Sequence, residues 1–325
     1  MILAINVNAS LDRVFVIDRF SPDTHMRSPK AQNFIGGKGL NTAMVLQTLG
    51  APVLAVSFMA GRNGKIVSEL LEQLQLPCEL LWLPGETREA NIIIETSLNR
   101  HSHITTFGYD LTQDDCNLLL RKIQELSAQS DWAVMAGSLP KGAPQDFYAE
   151  IISLLHRQGV KTLIDSSGIL MLKAIEASPE IVKMNQLEFQ ETFNVEVQGT
   201  EDLISACEFQ RQRLNLQTLV ITCGKDGILA LTPDGIFQAG CSQEIKEVNA
   251  AGAGDAVSAA LVYYRSLGKT WEEALAWAIA SSAAVVLTEG TAVCHMQDIL
   301  SIYPHAWVKK ISIASDKPGL ARAHQ

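Results

Sequence analysis

One short run of this chain combines small residues with a single acid at the start of a predicted helix. The run is Val248-Asn249-Ala250-Ala251-Gly252-Ala253-Gly254-Asp255-Ala256. Glycines and alanines let a turn aim several backbone N–H groups at one point, and the start of a helix adds positive potential there. An anion would bind at that point with the Asp255 carboxylate beside it. Because a carboxylate next to an anion is costly unless the chemistry needs it, the run suggests phosphoryl transfer to a hydroxyl.

A second glycine cluster lies near the beginning of the chain, in Ile35-Gly36-Gly37-Lys38-Gly39-Leu40-Asn41. Its glycines allow a ligand to approach the backbone closely, while Lys38 supplies a cation and Asn41 an amide. The spacing and the missing terminal Ser or Thr exclude a Walker A phosphate loop. A glycine turn before a helix can be purely structural, but together with the Asp255 turn it indicates a specific ligand site.

The composition limits the class of protein. The chain has 325 residues, of which 47% are hydrophobic, enough for one large α/β domain. A net charge of -9 without a basic stripe argues against nucleic acid as a partner, although a few arginines suffice for an anionic small substrate. The six cysteines form no C-x-x-C pair and have no histidine at zinc spacing, so we expect free thiols in a reducing compartment.

The apolar runs predict neither secretion nor contact with a membrane. No basic segment precedes the first apolar run, so we expect residues 1–7 to form a strand and not a signal peptide. The longest apolar helix, at about 274–287, is too short to span a bilayer and follows two glutamates. We therefore expect a cytoplasmic protein.

Strand-like and helix-like runs alternate through most of the chain. Short apolar runs predict strands at 2–6, 53–58, 132–135, 161–165, 181–183 and 218–222. Amphipathic runs between them predict helices at 39–49, 63–74, 112–129, 144–158 and 200–214. This alternation predicts an α/β fold with a doubly wound, mostly parallel sheet, flanked by helices, whose ligands bind beyond the carboxyl ends of the strands.

Two inserted stretches, at about 11–34 and 89–107, break this alternation and are typical of short antiparallel strands. We expect them to form a small β-sheet lid over the active-site face. Because a small exposed sheet needs a cover for its apolar side, we expect a homodimer through the lid. The predicted domain spans 1–310; the chain becomes polar from about Val308, and 311–325 is expected to be a loosely ordered tail.

The two glycine signatures together resemble those of the ribokinase-like (PfkB) carbohydrate kinases, and the resemblance extends over about residues 6–291. It implies the ribokinase-like fold, with the inserted strands as the lid. It also implies that Asp255 is the general base, which accepts the proton of the acceptor hydroxyl as the γ-phosphoryl group of ATP arrives. The N–H groups of Gly252, Ala253 and Gly254 would hold the developing charge.

The same resemblance implies where the nucleotide and magnesium bind. Asn185-Gln186-Leu187-Glu188 matches an Asn-x-x-Glu pattern of the family, and Asn185 and Glu188 would hold Mg²⁺ through water. Met184 replaces a proline that is usual before this motif. The segment 287–291 resembles one near the adenine. The implied nucleotide-binding residues are Lys183, Asn185, Thr222, Gly224 and Gly227.

Three further segments resemble the phosphosugar branch of the family, the 1-phosphofructokinase-like and tagatose-6-phosphate kinase-like enzymes. They are Asn8-Ala9-Ser10-Leu11-Asp12, with Ala9 where a proline is usual, then Glu86-Thr87-Arg88-Glu89-Ala90-Asn91, and finally Ala136-Gly137-Ser138-Leu139-Pro140. In this branch Asp12 would accept hydrogen bonds from sugar hydroxyls. The implied substrate-binding residues are Asp12, Arg27, Gly36, Gly37, Lys38, Asn41, Arg88, Arg100 and Ser138.

Four cations in this set, Arg27, Lys38, Arg88 and Arg100, favour an anionic acceptor. We therefore expect ATP-dependent phosphorylation of a phosphorylated ketohexose, namely fructose 1-phosphate, fructose 6-phosphate or tagatose 6-phosphate, to a bisphosphate. The segment 101–107 departs from the phosphofructokinase pattern, which weakens any choice among these sugars.

Two alternatives stay open at this point. The first is a kinase of a neutral sugar or nucleoside on the same fold. The second is a non-catalytic sugar-phosphate sensor, against which the presence of both Asp255 and Glu188 argues.

Overall fold

The computed structural model describes residues 1–98 and 100–311. The strands are β1 (Ile2–Asn6), β2 (Ser10–Ile17), β3 (Lys30–Gly36), β4 (Val53–Ala60), β5 (Cys78–Leu83), β6 (Arg88–Glu95), β7 (Arg100–Thr105), β8 (Trp132–Ala136), β9 (Lys161–Asp165), β10 (Ile181–Asn185), β11 (Leu219–Thr222), β12 (Ile228–Thr232), β13 (Gly235–Cys241) and β14 (Ala306–Ile311). The helices are α1 (Lys38–Thr48), α2 (Gly61–Gln73), α3 (Gln113–Ser127), α4 (Phe147–Arg157), α5 (Gly168–Ile175), α6 (Gln186–Phe193), α7 (Thr200–Arg213), α8 (Ala253–Ser266), α9 (Trp271–Val285) and α10 (Met296–Ile302).

Ten of these strands form one large sheet in the order β14-β13-β12-β11-β10-β9-β8-β1-β4-β5. Every neighbouring pair from β11 to β5 is parallel, whereas β12, β13 and β14 extend the sheet in antiparallel fashion. The predicted mostly parallel α/β sheet is confirmed. The carboxyl ends of its parallel strands lie at one edge, where ligands of such sheets bind.

Strand β1 explains why helices cover both faces of this sheet. All five of its residues are buried, and successive side chains point to opposite faces. Ile2 and Ala4 join an apolar cluster with α1, α2, α8, α9 and α10, while Leu3 and Ile5 join a second cluster with α3 to α7. A strand that is apolar on both faces requires helices on both faces, as in a doubly wound fold.

The lid is a separate four-stranded sheet in the order β3-β2-β6-β7. Its outer pairs are antiparallel as expected, but the central pair, β2 and β6, is parallel and runs from Ser10 opposite Arg88 to Ile17 opposite Glu95. The expectation of a purely antiparallel lid is therefore wrong at its centre. The reason is that β2 and β6 each follow a strand of the large sheet, β1 and β5, so both enter the lid in the same direction.

The C-terminal strand corrects the predicted tail. β14 pairs with β13 from Ala306 opposite Cys241 to Ile311 opposite Ile236, so the polar stretch from Val308 belongs to a strand that includes Ile311, the first residue of the predicted tail. Val308 packs on the core while its two lysine neighbours are exposed, a pattern that suits an edge strand. The remainder of the predicted tail, 312–325, lies outside the described residues. Within the described ranges, no helix is both long and apolar enough to cross a membrane.

Candidate active site

The acid-bearing glycine turn forms the start of α8. Gly252 is the N-cap, with a φ of 89°, and no side chain caps the helix. A Cβ on Gly252 would lie 2.4 Å from the backbone nitrogen of Ala292, so both the conformation and the space require glycine. The first N–H groups of a helix have no partner within the helix. The N–H of Ala253 donates to the Ala250 carbonyl at 3.2 Å, which leaves the N–H groups of Gly252 and Gly254 as candidate donors to an anion.

Asp255 is buried one turn inside this helix start, with 5% of its surface exposed. Its Oδ2 accepts a hydrogen bond of 2.8 Å from Nδ2 of Asn41 in α1, so the two glycine signatures meet. Burial raises the pKa of Asp255 to about 6, and the nearby Asp165 adds to the rise. Lys38, Lys183 and the hydrogen bond from Asn41 oppose it. A carboxylate with such a pKa is a suitable proton acceptor near neutral pH.

A buried ion cluster, which the sequence interpretation missed, lies beside the start of α8. Asp165, the last residue of β9, is fully buried and accepts hydrogen bonds from Lys183 Nζ at 2.5 Å, Ser258 Oγ at 3.0 Å and Lys38 Nζ at 3.1 Å. Burial alone would raise the pKa of Asp165, but the two lysines hold it at about 2. The Nζ of Lys183 is 3.2 Å from the position that a Cβ on Gly254 would take, which brings this cation to the anion turn.

Lys38 joins this cluster to the Asn-x-x-Glu motif. Its Nζ lies 2.9 Å from Oε1 of Glu188 and 3.1 Å from Oδ1 of Asp165. Burial would lower the pKa of Lys38, but these two carboxylates raise it above its ordinary value. The sequence prediction assigned Lys38 to the substrate; in this structure it lies between two acids.

Asn185 and Glu188 form a reciprocal cap at the start of α6. The Asn185 side chain accepts from the Glu188 N–H at 2.8 Å, and Oε2 of Glu188 accepts from the Asn185 N–H at 2.9 Å. Among the described residues, no three His, Cys, Asp or Glu side chains are arranged to hold a metal by themselves. Mg²⁺ usually keeps several waters and binds one or two carboxylates together with phosphates. The oxygen donors present here fit magnesium that arrives with a nucleotide.

The predicted nucleotide loop follows β11 at the same edge of the sheet. Asn185 and Thr222 are partners in register at the ends of β10 and β11. Gly224 and Gly227 both have positive φ, and a Cβ on Gly227 would lie 2.0 Å from the carbonyl oxygen of Ala239. A Cβ on Gly224 would meet nothing within 4 Å. Gly227 is therefore required by the packing, whereas Gly224 leaves an open surface beside the motif.

Asp12 lies in the lid, next to the first glycine cluster. Its Oδ1 accepts from Ser10 Oγ at 2.7 Å and its Oδ2 from Thr291 Oγ1 at 3.2 Å. Burial raises the pKa of Asp12, and these two hydrogen bonds oppose the rise. A Cβ on Gly36 would lie 1.9 Å from Oδ1 of Asp12, so this glycine makes room for the carboxylate.

The next two glycines bring the start of α1 against the end of β1. The N–H of Gly39 donates to Oδ1 of Asn6 at 3.1 Å, and a Cβ on Gly37, whose φ is 109°, would lie 2.7 Å from the same atom. Asn6 in turn donates to Ser57 Oγ at 3.0 Å. The sequence interpretation did not assign Asn6 a role, although it marks the first residue of the resemblance.

A pocket of about 440 Å³ opens beside Arg88, a volume within the range of small-molecule sites. Nη2 of Arg88 donates to the Asn8 carbonyl at 3.2 Å, and its buried Nε has no partner among the described residues. Burial lowers the pKa of Arg88, and Asp12 partly opposes this. Ser138 lines the same pocket and accepts from Asn8 Nδ2 at 3.1 Å. Arg88 and Ser138 therefore place a cation and a hydroxyl in the lining of this pocket.

The other two predicted arginines do not line this pocket. Arg100 begins β7 and is already engaged by Glu95, with Nε 2.5 Å from Oε2 and Nη2 3.1 Å from Oε1. Glu95 is seven residues along β6 from Arg88, a distance of about 23 Å. Arg27 is exposed between β2 and β3. Within one chain, the structure therefore does not bring Arg100 or Arg27 into the Arg88 pocket.

Comparison with known proteins identifies the family. The model of the pfkB family of carbohydrate kinases matches residues 7–298. This chain belongs to that family. The PfkB chain is 28% identical to 1-phosphofructokinase of Borreliella burgdorferi over 299 residues. This match covers 92% of this chain and 95% of that protein. It is 29% identical to tagatose-6-phosphate kinase of Staphylococcus epidermidis over 263 residues. This match covers 80% of this chain and 84% of that protein.

Solved structures confirm the predicted ribokinase-like fold of this PfkB kinase. A possible 1-phosphofructokinase of Thermotoga maritima superimposes with a TM-score of 0.87 at 26% identity, over 96% of this chain and 99% of that one. The prediction of a carbohydrate kinase with a small lid sheet is thus confirmed, and kinases of this family use ATP.

One further segment of the PfkB chain contacts the lid. It is the segment 287–291, which the resemblance places near the adenine. Glu289 forms an ion pair with Lys30, and a Cβ on Gly290 would lie 2.7 Å from the ring of Phe34. The carbonyl of Glu289 also accepts from Nδ2 of Asn249 at 2.8 Å, so the segment between α9 and α10 contacts both the lid and the run before α8.

The end of the same segment also reaches the anion turn. Thr291 donates to Asp12 in the lid, and Ala292 donates its N–H to the carbonyl of Ala251 at 2.9 Å. In this PfkB kinase, two adjacent residues therefore tie the lid and the anion turn together.

Proposed function

We propose that the protein transfers the γ-phosphoryl group of ATP to a hydroxyl of a phosphorylated ketohexose and so forms a bisphosphate. The observation that carries the substrate class is Arg88, a cation that lines a pocket of about 440 Å³. A phosphate group supplies the anion that this guanidinium lacks. Fructose 1-phosphate, fructose 6-phosphate and tagatose 6-phosphate are the candidate substrates, and the names of the relatives agree with this class.

Asp255 is the proposed general base. Its carboxylate takes the proton of the acceptor hydroxyl while the hydroxyl oxygen attacks the γ-phosphorus and ADP leaves. The hydrogen bond from Asn41 orients this carboxylate. The Oδ1 of Asn41 is buried and has no partner among the described residues.

The anion turn is proposed to hold the negative charge that develops on the transferred group. The N–H groups of Gly252 and Gly254 would supply backbone donors there, joined by that of Ala253 if it leaves the Ala250 carbonyl, and Lys183 adds a cation beside them. Donors fixed before the reaction need no reorganisation when charge develops, which is why such sites lower the barrier.

The nucleotide is proposed to lie along the ends of β10 and β11, against Lys183, Asn185, Thr222, Gly224 and Gly227. Asn185 and Glu188 would hold Mg²⁺ through water. Bound magnesium neutralises charge on the phosphates. Because the Glu188 carboxylate also pairs with Lys38, this motif supports both a cation of the protein and a cation of the nucleotide.

The sugar phosphate is proposed to lie between the lid and the two glycine signatures. Asp12 accepts from sugar hydroxyls, the backbone at Gly36 and Gly37 lines the site, and Arg88 and Ser138 bind the phosphate. Lys38 and Asn41 lie where the sugar and the transferred group meet, because Lys38 joins Asp165 and Asn41 joins Asp255.

A panel of acceptors tests the proposal. ADP release is measured with the three phosphohexoses, with fructose and tagatose, and with ribose and adenosine. We expect turnover with at least one phosphohexose at a higher kcat/KM than with every neutral acceptor. Faster turnover of a neutral sugar or nucleoside would favour the alternative substrate class, and no turnover of any acceptor would favour a sensor.

We further propose a homodimer through the lid, in the cytoplasm. Five large apolar side chains of the lid and its adjoining loops are exposed: Phe20, Met26, Leu98, Ile104 and Phe107. Phe107 is 97% exposed, which is unfavourable unless something covers it. All six cysteines are free thiols, as suits a reducing compartment. Sedimentation should give a dimer that Ile104→Glu weakens; a wild-type monomer at working concentrations would contradict the dimer.

A further inference from the structure

We propose that Lys141 is a second cation for the phosphate of the sugar and a determinant of specificity for phosphorylated acceptors. The inference rests on the proposed function, because it concerns the ligand of the same pocket. Lys141 lies outside every motif that the sequence analysis assigned. It lines the Arg88 pocket together with Ser138 and the loop 105–110.

The backbone of Lys141 is fixed in place. Its carbonyl accepts from the N–H of Leu111 at 2.8 Å. The next residue, Gly142, has a φ of 86°, and a Cβ there would lie 2.1 Å from the Leu111 carbonyl oxygen. The loop 138–142 is therefore packed tightly against the loop that contains Tyr109, whose hydroxyl donates to the Val7 carbonyl at 2.8 Å.

The side chain of Lys141, in contrast, is loosely held. It is 81% exposed, and its nearest acid is Asp110, 3.9 Å away and 64% exposed. Exposed pairs of this kind contribute little to stability, because solvent screens them and both side chains lose freedom. The Lys141 ammonium can therefore exchange this acid for a dianionic phosphate at small cost.

The charged residues that line the pocket are two cations, Arg88 and Lys141, and one acid, Asp110. Arg88 donates one hydrogen bond through Nη2 to the Asn8 carbonyl. One partly engaged guanidinium does not satisfy a phosphate, which has three terminal oxygens and nearly two negative charges at neutral pH. A flexible lysine at the rim supplies the second charge as a point cation, whereas Arg88 supplies the directed hydrogen bond.

Steady-state kinetics of Lys141→Ala test the inference. At low ionic strength we expect the KM for the preferred phosphohexose to rise about fivefold, with kcat and the KM for ATP unchanged. Lys141→Arg should restore the KM. The difference should shrink in high salt, since the side chain is exposed. Lys269→Ala, which removes an equally charged side chain just beyond the C-terminal end of α8, is the matched control and should leave every constant unchanged.

A binding measurement separates this inference from the proposed function. Inorganic phosphate is titrated by calorimetry into the wild type, Lys141→Ala and Lys269→Ala without ATP or sugar. Weaker phosphate binding by Lys141→Ala alone supports the inference, even if the wild type turns over no phosphohexose and the proposed function fails. Equal phosphate binding by the three proteins, or an unchanged phosphohexose KM in Lys141→Ala, would overturn the role of Lys141 while leaving the proposed function intact.

Discussion

Asn41 donates to the Asp255 carboxylate over 2.8 Å, and its own Oδ1 is buried without a partner among the described residues. The hydrogen bond connects α1 with α8 across 214 positions of the chain. This amide therefore fixes the orientation of the carboxylate that we propose as the base. On that proposal the geometry of proton transfer depends on both glycine signatures, and the following predictions test its parts.

Asp255→Asn should lower kcat by roughly 10²–10⁴-fold, the usual contribution of a general base. The KM values should change little, because the carboxamide has the shape of the carboxylate and keeps most binding contacts. ADP release under saturating substrates measures the effect. Asp234→Asn, an exposed acid in the turn between β12 and β13, is the control. Full turnover by Asp255→Asn would exclude the role of base.

The rate should depend on pH through Asp255. The proposed base acts as a carboxylate and its pKa is about 6. The value of kcat/KM should therefore reach its maximum well above pH 6 and fall about tenfold for each pH unit well below pH 6. A profile from pH 5 to pH 8 checks this. An acid limb centred near the ordinary pKa of an aspartate would contradict the effect of burial and Asp165.

The same shift has a consequence for folding. A raised pKa means that the folded protein binds the proton more tightly than the unfolded chain, so this group favours folding at pH below the unfolded value of 3.8, and that contribution is lost as the pH rises through about 6. Asp255→Asn should therefore have a higher Tm than the wild type at pH 8, and the difference should vanish toward pH 4. A lower Tm for the variant at pH 8 would show that the carboxylate stabilises the fold.

Asp165→Asn should destabilise the protein, because Lys183 is buried and loses its charged partner. Removing one member of a buried ion pair costs about 3–5 kcal/mol, which urea unfolding can measure. The acid limb of the rate profile should also move to lower pH, because Asp165 helps to raise the pKa of Asp255. Glu176→Gln, which breaks an exposed pair with Lys173, should change neither quantity.

Gly252→Ala should cost roughly 3 kcal/mol or more, since it adds backbone strain and a clash with Ala292. Gly268→Ala is the matched control. Gly268 also has a positive φ, 73°, but a Cβ there meets nothing within 4 Å, so only about 1 kcal/mol of strain is expected. If the two variants had equal free energies of unfolding, Ala292 would have to move away from the added Cβ without destabilising the protein.

Arg88→Ala should lower kcat/KM for a phosphohexose by roughly 10–100-fold, the loss of one or two charged hydrogen bonds. Arg100→Ala removes the same charge from the lid but should leave kcat/KM unchanged, since Glu95 already holds that side chain. The two variants are compared in one substrate panel. A large loss of activity in Arg100→Ala would mean that Arg100 reaches a substrate despite its pair.

Much of the fold can be predicted from the sequence, but few of the hydrogen bonds and ion pairs between the site residues can. Apolar runs between helical periods are enough to predict the parallel strands, and the glycines with Asp255 mark the anion turn. Asp165 could not be singled out, because an acid at the end of a buried strand has no motif, and only the fold brings Lys38 and Lys183 to it. The pairing of Arg100 with Glu95 could not be predicted, because spacing alone does not give the register of the lid strands, which puts Arg100 opposite Glu95. The edge strand β14 was missed because its two lysines interrupt the apolar pattern.

The contacts of Thr291 and Ala292 link the lid to the turn that we propose receives the phosphoryl group. Thr291 donates to Asp12 in the lid, and Ala292 donates its N–H to the carbonyl of Ala251 in the turn. We expect a sugar that holds the lid to hold this turn as well. Such a link would make the binding of ATP and sugar cooperative, and the cooperativity would be reciprocal. ATP hydrolysis by water, which cannot hold the lid, should then be slow compared with transfer to the sugar.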